Sequence, residues 1–233
     1  MFKMQRMAAA AGLAVGVTVG MLAADAAADS VQVVGGQTSV LLDTATLSAA
    51  ASLDLSGVSS DVIAPGELGP NSVAFGINPT NGSLPTTFQY DPDDFLGTFS
   101  GAIEHSGSVF FNADTVEVGD FTIGFDAARA TGNASGFFVE STTGIAAVLF
   151  DIGAPSLLDA QDESLVIEAD LLVSSEFAAF LSSQSLAASD LTGATVGSAR
   201  VSAVSVPSPS AALGGLALVG LLVAKRRRQV SMD

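Results

Sequence analysis

The side chains that could do chemistry in this chain are almost all carboxylates. The sequence has 24 Asp and Glu residues, one histidine (His105) and no Cys. Nucleophilic catalysis by a Ser-His-Asp arrangement needs a histidine as base. His105 lies beside Glu104 in the alternating stretch IEHSGSVFF, where a lone histidine is typically a surface or structural residue, and no G-x-S-x-G turn is present. We therefore expect the protein not to be an enzyme.

Pairs of carboxylates are the groups that hydrolyse glycosidic bonds. The acidic residues are so numerous that no pair stands out, and the chain has no Trp and one Tyr, Tyr90, to stack on a sugar. A glycan-active enzyme is therefore only an alternative. A glycan-binding module has the same shortage of aromatic side chains, so it too is an alternative.

Calcium is the only cofactor that the residue pattern suggests. Asp91, Asp93 and Asp94 lie within the turn YDPDDF, and DAQDES (159–164) offers a second acidic turn. Calcium takes six to eight oxygen ligands, often clustered carboxylates, but neither turn has EF-hand spacing. We expect solvated acidic turns, with calcium bound first by Asp91 and Asp93 as the alternative.

The charge of the central part of the chain limits its partners. Residues 29–206 contain 22 acidic residues and two basic ones, Arg129 and Arg200, a formal charge of −20. Such a surface repels nucleic acid and anionic membranes, so we expect no nucleic-acid partner. Without Cys, this part must fold by core burial alone, and its length allows one domain, which we place at 29–205.

Strand patterns predominate in this domain. Short alternating runs are separated by Gly, Asn, Asp and Pro, as in SVAFGIN (72–78) before Asn81-Gly82, and in ESLVIEADLLVS (163–174). In TVEVGDFTIGF (115–125) the alternation changes phase at Gly119, where a bulge would fit. The pattern predicts a mainly β fold, an antiparallel β-sandwich or a partly closed barrel.

One short helix is predicted within this β-rich domain. Ser174-Ser175 can cap EFAAFLSSQSLAA, and Glu176 lies in the first turn, where a negative charge suits the helix dipole. Phe177, Phe180 and Leu181 then share one face.

The two ends of the chain carry export signals. Lys3 and Arg6 precede an apolar run from 7 to 22 and the small residues 26–28, the layout of a secretory signal peptide, which we place at 1–28. Near the other end, an uncharged span (210–224) precedes four cations. This span predicts a transmembrane helix, although crossing usually takes about 20 residues. By the positive-inside rule the cations hold its end in the cytoplasm as a stop-transfer signal. They are Lys225, Arg226, Arg227 and Arg228.

The C-terminal segment 206–228 closely resembles a PEP-CTERM sorting signal. Val206-Pro207-Ser208-Pro209 precedes the apolar span and the Arg cluster, and Ser208 stands where the family usually has Glu. The resemblance implies that an exosortase-like membrane enzyme recognises the motif and removes the tail. It also implies export in a Gram-negative-type bacterium, often one that makes extracellular polysaccharide or biofilm, and it implies no catalytic activity.

The central stretch SGAIEHSGSVFFNADTVEVGDFTIGF is faintly similar to the haem-transport-associated domain of exported bacterial proteins. In that family a tyrosine binds haem. The resemblance implies Tyr90 and His105 as haem ligands, although here the His precedes the Gly-Ser-Val-Phe-Phe strand instead of following it.

These features lead to one main hypothesis and two alternatives. We expect an exported protein, anchored by its C-terminal helix before processing, that then serves a structural or adhesive role at the cell surface or in an extracellular matrix, where polysaccharide is a candidate partner. A module that binds haem or a glycan is the first alternative. A glycan-active enzyme is the second.

Overall fold

The computed structural model describes residues 30–208. In this range the chain forms twelve strands and three short α-helices. The strands are β1 (Val31–Leu42), β2 (Leu55–Val58), β3 (Val73–Gly76), β4 (Gln89–Tyr90), β5 (Ile103–Glu104), β6 (Ser108–Phe111), β7 (Val116–Phe125), β8 (Ala134–Gly144), β9 (Ala147–Gly153), β10 (Leu157–Ala160), β11 (Ser164–Val173) and β12 (Thr195–Pro207). The helices are α1 (Thr44–Ala51), α2 (Phe95–Thr98) and α3 (Ser175–Ser183).

All twelve strands belong to one antiparallel sheet that curls into a partly closed barrel. The main path runs β2-β6-β7-β8-β9-β11-β12-β1-β3, while β4 pairs with β1, β5 with β7 and β10 with β11. Isolated bridges between Ile77 and His105 and between Gln89 and Ser100 join the two ends of the curl. The predicted fold class, mainly β with a partly closed barrel, is confirmed.

The alternating pattern of β7 changes phase close to the predicted position. Val118 and Phe121 both face the barrel interior although three positions separate them. Asp120 between them has a φ of 47°, and this left-handed turn brings the next side chain back to the same face. The change of phase therefore occurs one residue after Gly119.

The predicted helix is confirmed as α3, and Ser174 is its cap. The Oγ of Ser174 accepts a hydrogen bond from the backbone N–H of Phe177 at 3.0 Å and donates one to the carbonyl oxygen of Val148 at 2.7 Å. Phe177 and Leu181 are buried against the sheet. The cap therefore ties the start of the helix to β9.

Two further helices lie where the sequence pattern indicated strands or loops. The Asp43 carboxylate accepts hydrogen bonds from both the backbone N–H and the hydroxyl of Thr46 and caps α1, and the alanines that follow favour helix over strand. The Asp94 carboxylate accepts from the backbone N–H of Gly97 and caps α2. No α-helix within residues 30–208 has the length and hydrophobicity that crossing a membrane requires.

Candidate apolar binding site

The barrel contains two apolar cavities that share part of their lining. The inner cavity, of about 90 Å³, lies between Phe75, His105, Leu149 and Phe177 at the end covered by α1 and α3. The outer cavity, of about 330 Å³, lies between α2 and strands β7, β8, β10 and β11. Four side chains line both cavities and form the partition between them: Ile123, Ile152, Ile167 and Val201.

Phenylalanine rings form much of the wall of the outer cavity. Phe99 packs edge-on against Phe125 with ring centroids 4.8 Å apart, and it lies 4.9 Å from Phe137. Phe88 and Phe95 extend this cluster toward the chain termini. Aromatic clusters of this kind stabilise the wall beyond the area they bury.

The outer cavity opens to solvent between large apolar side chains. Leu96 of α2 is 74% exposed, and Phe125 and Leu158 are 42% and 38% exposed. All three line the cavity. Single exposed apolar residues are ordinary, but three at the mouth of one cavity form an apolar entrance.

The side chains that line the outer cavity are almost all apolar. Among the described residues that line the outer cavity, Ser135 is the one with a polar side chain. Its hydroxyl donates a hydrogen bond to the carbonyl oxygen of Ile152 at 2.8 Å. We therefore expect the part of a ligand that enters this cavity to be mainly apolar, because a buried polar group without a partner is costly.

On three elements, an exposed carboxylate is next in sequence to a residue that lines the outer cavity. Asp94 directly precedes α2, Asp126 directly follows Phe125 at the end of β7, and Asp159 directly follows Leu158 in β10. Both basic residues of the described part are engaged elsewhere: Arg129 pairs with Asp151 and Glu176, and Arg200 with Glu67 and Glu168.

His105 is buried in the wall of the inner cavity. It is 2% exposed, and its Nδ1 lies 3.0 Å from the carbonyl oxygen of Phe121 while its Nε2 lies 2.7 Å from the hydroxyl of Thr38. A carbonyl oxygen only accepts, so Nδ1 carries the proton and Nε2 accepts from Thr38. Burial lowers the pKa of His105 to about 4, although the hydrogen bond to Phe121 opposes the shift.

Tyr90 lies elsewhere, at the end of the barrel where the described chain begins and ends. It is 1% exposed, and its hydroxyl lies within hydrogen-bonding distance of the carbonyl oxygens of Gln161 and Ser164 and of the hydroxyl of Ser205. Burial raises the pKa of Tyr90. The structure does not place Tyr90 and His105 on one cavity, and haem ligation by this pair stays a prediction.

The carboxylates predicted to bind calcium are exposed or half-buried, and two of them support local turns. Asp91 accepts from the backbone N–H of Asp93, and Asp94 caps α2. In residues 30–208 no group of three or more His, Asp or Glu side chains is arranged to hold a metal. Calcium binding stays a prediction, which a higher melting temperature in calcium than in chelator would support.

The predicted sorting motif begins inside the sheet. Val206 pairs with Gln32 and Pro207 with Val31, so the last residues of β12 belong to the motif. The predicted signal peptide, Pro209, the span 210–224 and the four terminal cations lie outside the described residues.

The sequence pattern does not predict the cavity, although part of the cavity wall can be recognised from the alternation of apolar residues. Phe121, Ile123 and Phe125 alternate on β7, and Phe137 and Val139 alternate on the neighbouring strand β8. This pattern marks one inward face. It cannot separate a packed core from a hollow one, because that depends on α2 and β10, which come from other parts of the chain.

Comparison with known proteins gives a match among solved structures. No family model matches the chain, and no curated protein matches it. The crystal structure of the C-terminal domain of HtaA from Corynebacterium glutamicum is similar over 75% of this chain and 99% of that chain, with 17% sequence identity and a TM-score of 0.45.

Proposed function

We propose that this protein is an exported, non-enzymatic surface module whose barrel binds an apolar small molecule. The observation that carries the proposal is the outer cavity: about 330 Å³, walled by phenylalanine and open to solvent. Ligand sites in proteins are typically clefts of about 300 to 1,000 Å³ with apolar and aromatic walls. This function develops the ligand-binding alternative and retains the predicted export.

A purely structural or adhesive module is the competing function. Such a module gains nothing from an open apolar cavity, because unfilled space in a core lowers stability. The three large apolar side chains exposed together at the cavity mouth, Leu96, Phe125 and Leu158, are likewise better explained by a ligand that covers them. Both features favour ligand binding.

The test is a titration with N-phenyl-1-naphthylamine, a neutral dye that fluoresces in apolar surroundings. We expect saturable binding to the purified protein. Phe125→Glu, which places a charge at the mouth, should weaken dye binding about fivefold or more, because desolvating a carboxylate costs more than 1 kcal/mol.

The matched control is Val204→Glu. Val204 is also a large, exposed apolar residue on a strand, but it does not line the cavity. The control should bind the dye as the unaltered protein does. Absence of saturable binding, or equal weakening in both variants, contradicts the proposed function.

A further inference from the structure

We propose that Asn81 is a site of covalent modification, at which the folded protein deamidates spontaneously by closing a ring with the backbone nitrogen of Gly82. The dipeptide Asn81-Gly82 lies in the loop between β3 and β4. Neither residue lines the inner or the outer cavity. The proposal is therefore independent of whether the barrel binds a ligand.

The reaction joins the backbone nitrogen of Gly82 to Cγ of Asn81. As the N–Cγ bond forms, the Cγ–Nδ2 bond breaks, and the proton of the Gly82 nitrogen passes through solvent to Nδ2, which leaves as ammonia. Water then adds to the five-membered succinimide. Opening at the Cγ carbonyl leaves aspartate at position 81, whereas opening at the backbone carbonyl leaves isoaspartate, in which the main chain runs through the side-chain carbon. Water is the only co-reactant.

The loop leaves both reacting groups free. Residues 79–85 are exposed. Within residues 30–208, neither the side chain of Asn81 nor the backbone N–H of Gly82 makes a hydrogen bond. No atom lies within 4 Å of the position that a Cβ would take at Gly82, and glycine is the residue whose backbone turns most freely. The Gly82 nitrogen can therefore rotate toward Cγ without breaking a contact.

The chain has five asparagines, and at two of the others the following nitrogen cannot attack. Asn78 precedes Pro79, whose nitrogen carries no proton to lose. Asn71 is exposed, but the next residue, Ser72, is buried and its backbone N–H donates to a carbonyl oxygen of the same turn at 3.1 Å. Closing the ring at Asn71 would break that hydrogen bond.

The remaining two asparagines are also held by hydrogen bonds. The side chain of Asn112 accepts from the backbone N–H of Asp54 at 2.9 Å and donates to the carbonyl oxygen of Ser52 at 2.9 Å. Asn133 precedes Ala134, whose backbone N–H donates to a carbonyl oxygen at 3.0 Å. Each site would have to give up native hydrogen bonds to react, so the fold leaves Asn81 as the reactive one.

The loop is anchored on both sides of Asn81, so the modification should leave the barrel intact. Asn78 donates from Nδ2 to the carbonyl oxygen of Leu84 at 3.2 Å, and the buried hydroxyl of Thr86 accepts from the backbone N–H of Glu104 at 3.1 Å. The new negative charge and the additional main-chain carbon of isoaspartate therefore lie at an exposed loop tip, where changes have little effect on stability.

The experiment follows the purified protein over days at mildly alkaline pH, which promotes loss of the amide proton. Ion exchange should show a new, more acidic species, and peptide mapping by mass spectrometry should place the exchange of NH2 for OH at Asn81, as a mixture of aspartate and isoaspartate. A synthetic peptide of residues 79–85, kept under the same conditions, serves as the unfolded reference.

The matched control is Gly82→Ala. The space around Gly82 accepts a methyl group, so the melting temperature should not change, while the methyl group hinders closure of the ring. We expect conversion at Asn81 to slow about tenfold or more, which corresponds to a barrier higher by about 1.4 kcal/mol.

Three results would overturn the proposal. The first is an unmodified Asn81 when the reference peptide has converted. The second is equal conversion at Asn71 or Asn133 in the folded protein. The third is a Gly82→Ala variant that converts as fast as the unaltered chain.

Discussion

At the scale of single residues, His105 is a buried neutral base whose hydrogen-bonding capacity is fully used. Thr38 and the carbonyl oxygen of Phe121 satisfy its two ring nitrogens. Protonation would turn Nε2 into a second donor and place a charge in an apolar interior. Protonated Nε2 could still donate to the Thr38 hydroxyl, so the cost of protonation is mainly that of burying the charge.

Stability should consequently depend on pH through His105. Its pKa in the folded protein is about 4, below the unfolded value near 6.5. The unfolded state therefore binds more protons between these values, so stability is fully present above about pH 6.5 and falls as the pH drops toward 4. We expect a loss of about 2 kcal/mol between pH 7 and pH 5.

Urea unfolding at the two pH values measures this loss, with His105→Gln as the comparison. The variant should be less stable at pH 7, and its free energy of unfolding should change little between pH 7 and pH 5. An equal change in both proteins would show that other groups are responsible.

At the scale of elements, α3 illustrates which parts of the fold can be predicted from the sequence. Its capping residues, its first-turn acid Glu176 and its apolar face are all local signals, so the helix could be predicted. The sequence pattern does not predict helix α1 because TATLSA (44–49) alternates polar and apolar residues as a strand does. Asp43 favours the helix through two hydrogen bonds to Thr46. The outer cavity is harder still to predict from the sequence, because Phe99, Phe137 and Leu158 come together only in the curled sheet.

The two serines before α3 should differ in their effect on stability. Ser174 is fully buried and bonds both Phe177 and Val148, whereas Ser175 bonds only its exposed neighbour Glu176. Ser174→Ala should lower the free energy of unfolding by about 1 to 2 kcal/mol. Ser175→Ala should change it by less than about 0.5 kcal/mol, and equal losses in urea unfolding would show that the cap is not Ser174.

At the scale of the whole molecule, the two ends of the described chain lie together. Strands β1 and β12 pair along their full length, and the backbone N–H of Ser208 donates to the carbonyl oxygen of Ser30 at 2.8 Å. Phe95 of the outer cavity packs against Tyr90, which pairs with Val31 at this same end. A C-terminal anchor would therefore hold the outer cavity near the tethered end.

The predicted sorting of this tail is testable by mutation. Replacing Pro207 and Pro209 with Ala should leave the protein uncleaved and in the membrane fraction. Intact mass and cell fractionation of the native protein and the variant measure this. Unchanged processing would leave a simple membrane anchor as the interpretation of the tail.

The central claim is that an apolar ligand enters the outer cavity, and a reporter inside the cavity tests it most directly. The chain has no Trp, so Phe137→Trp places a single indole in the cavity wall and Val204→Trp places one on the outer surface. Both variants are titrated with a neutral decyl glycoside whose chain carries bromine, which quenches indole fluorescence on contact. We predict saturable quenching of the Trp at 137 and none at 204; equal quenching at both positions, or none at 137, would contradict the claim.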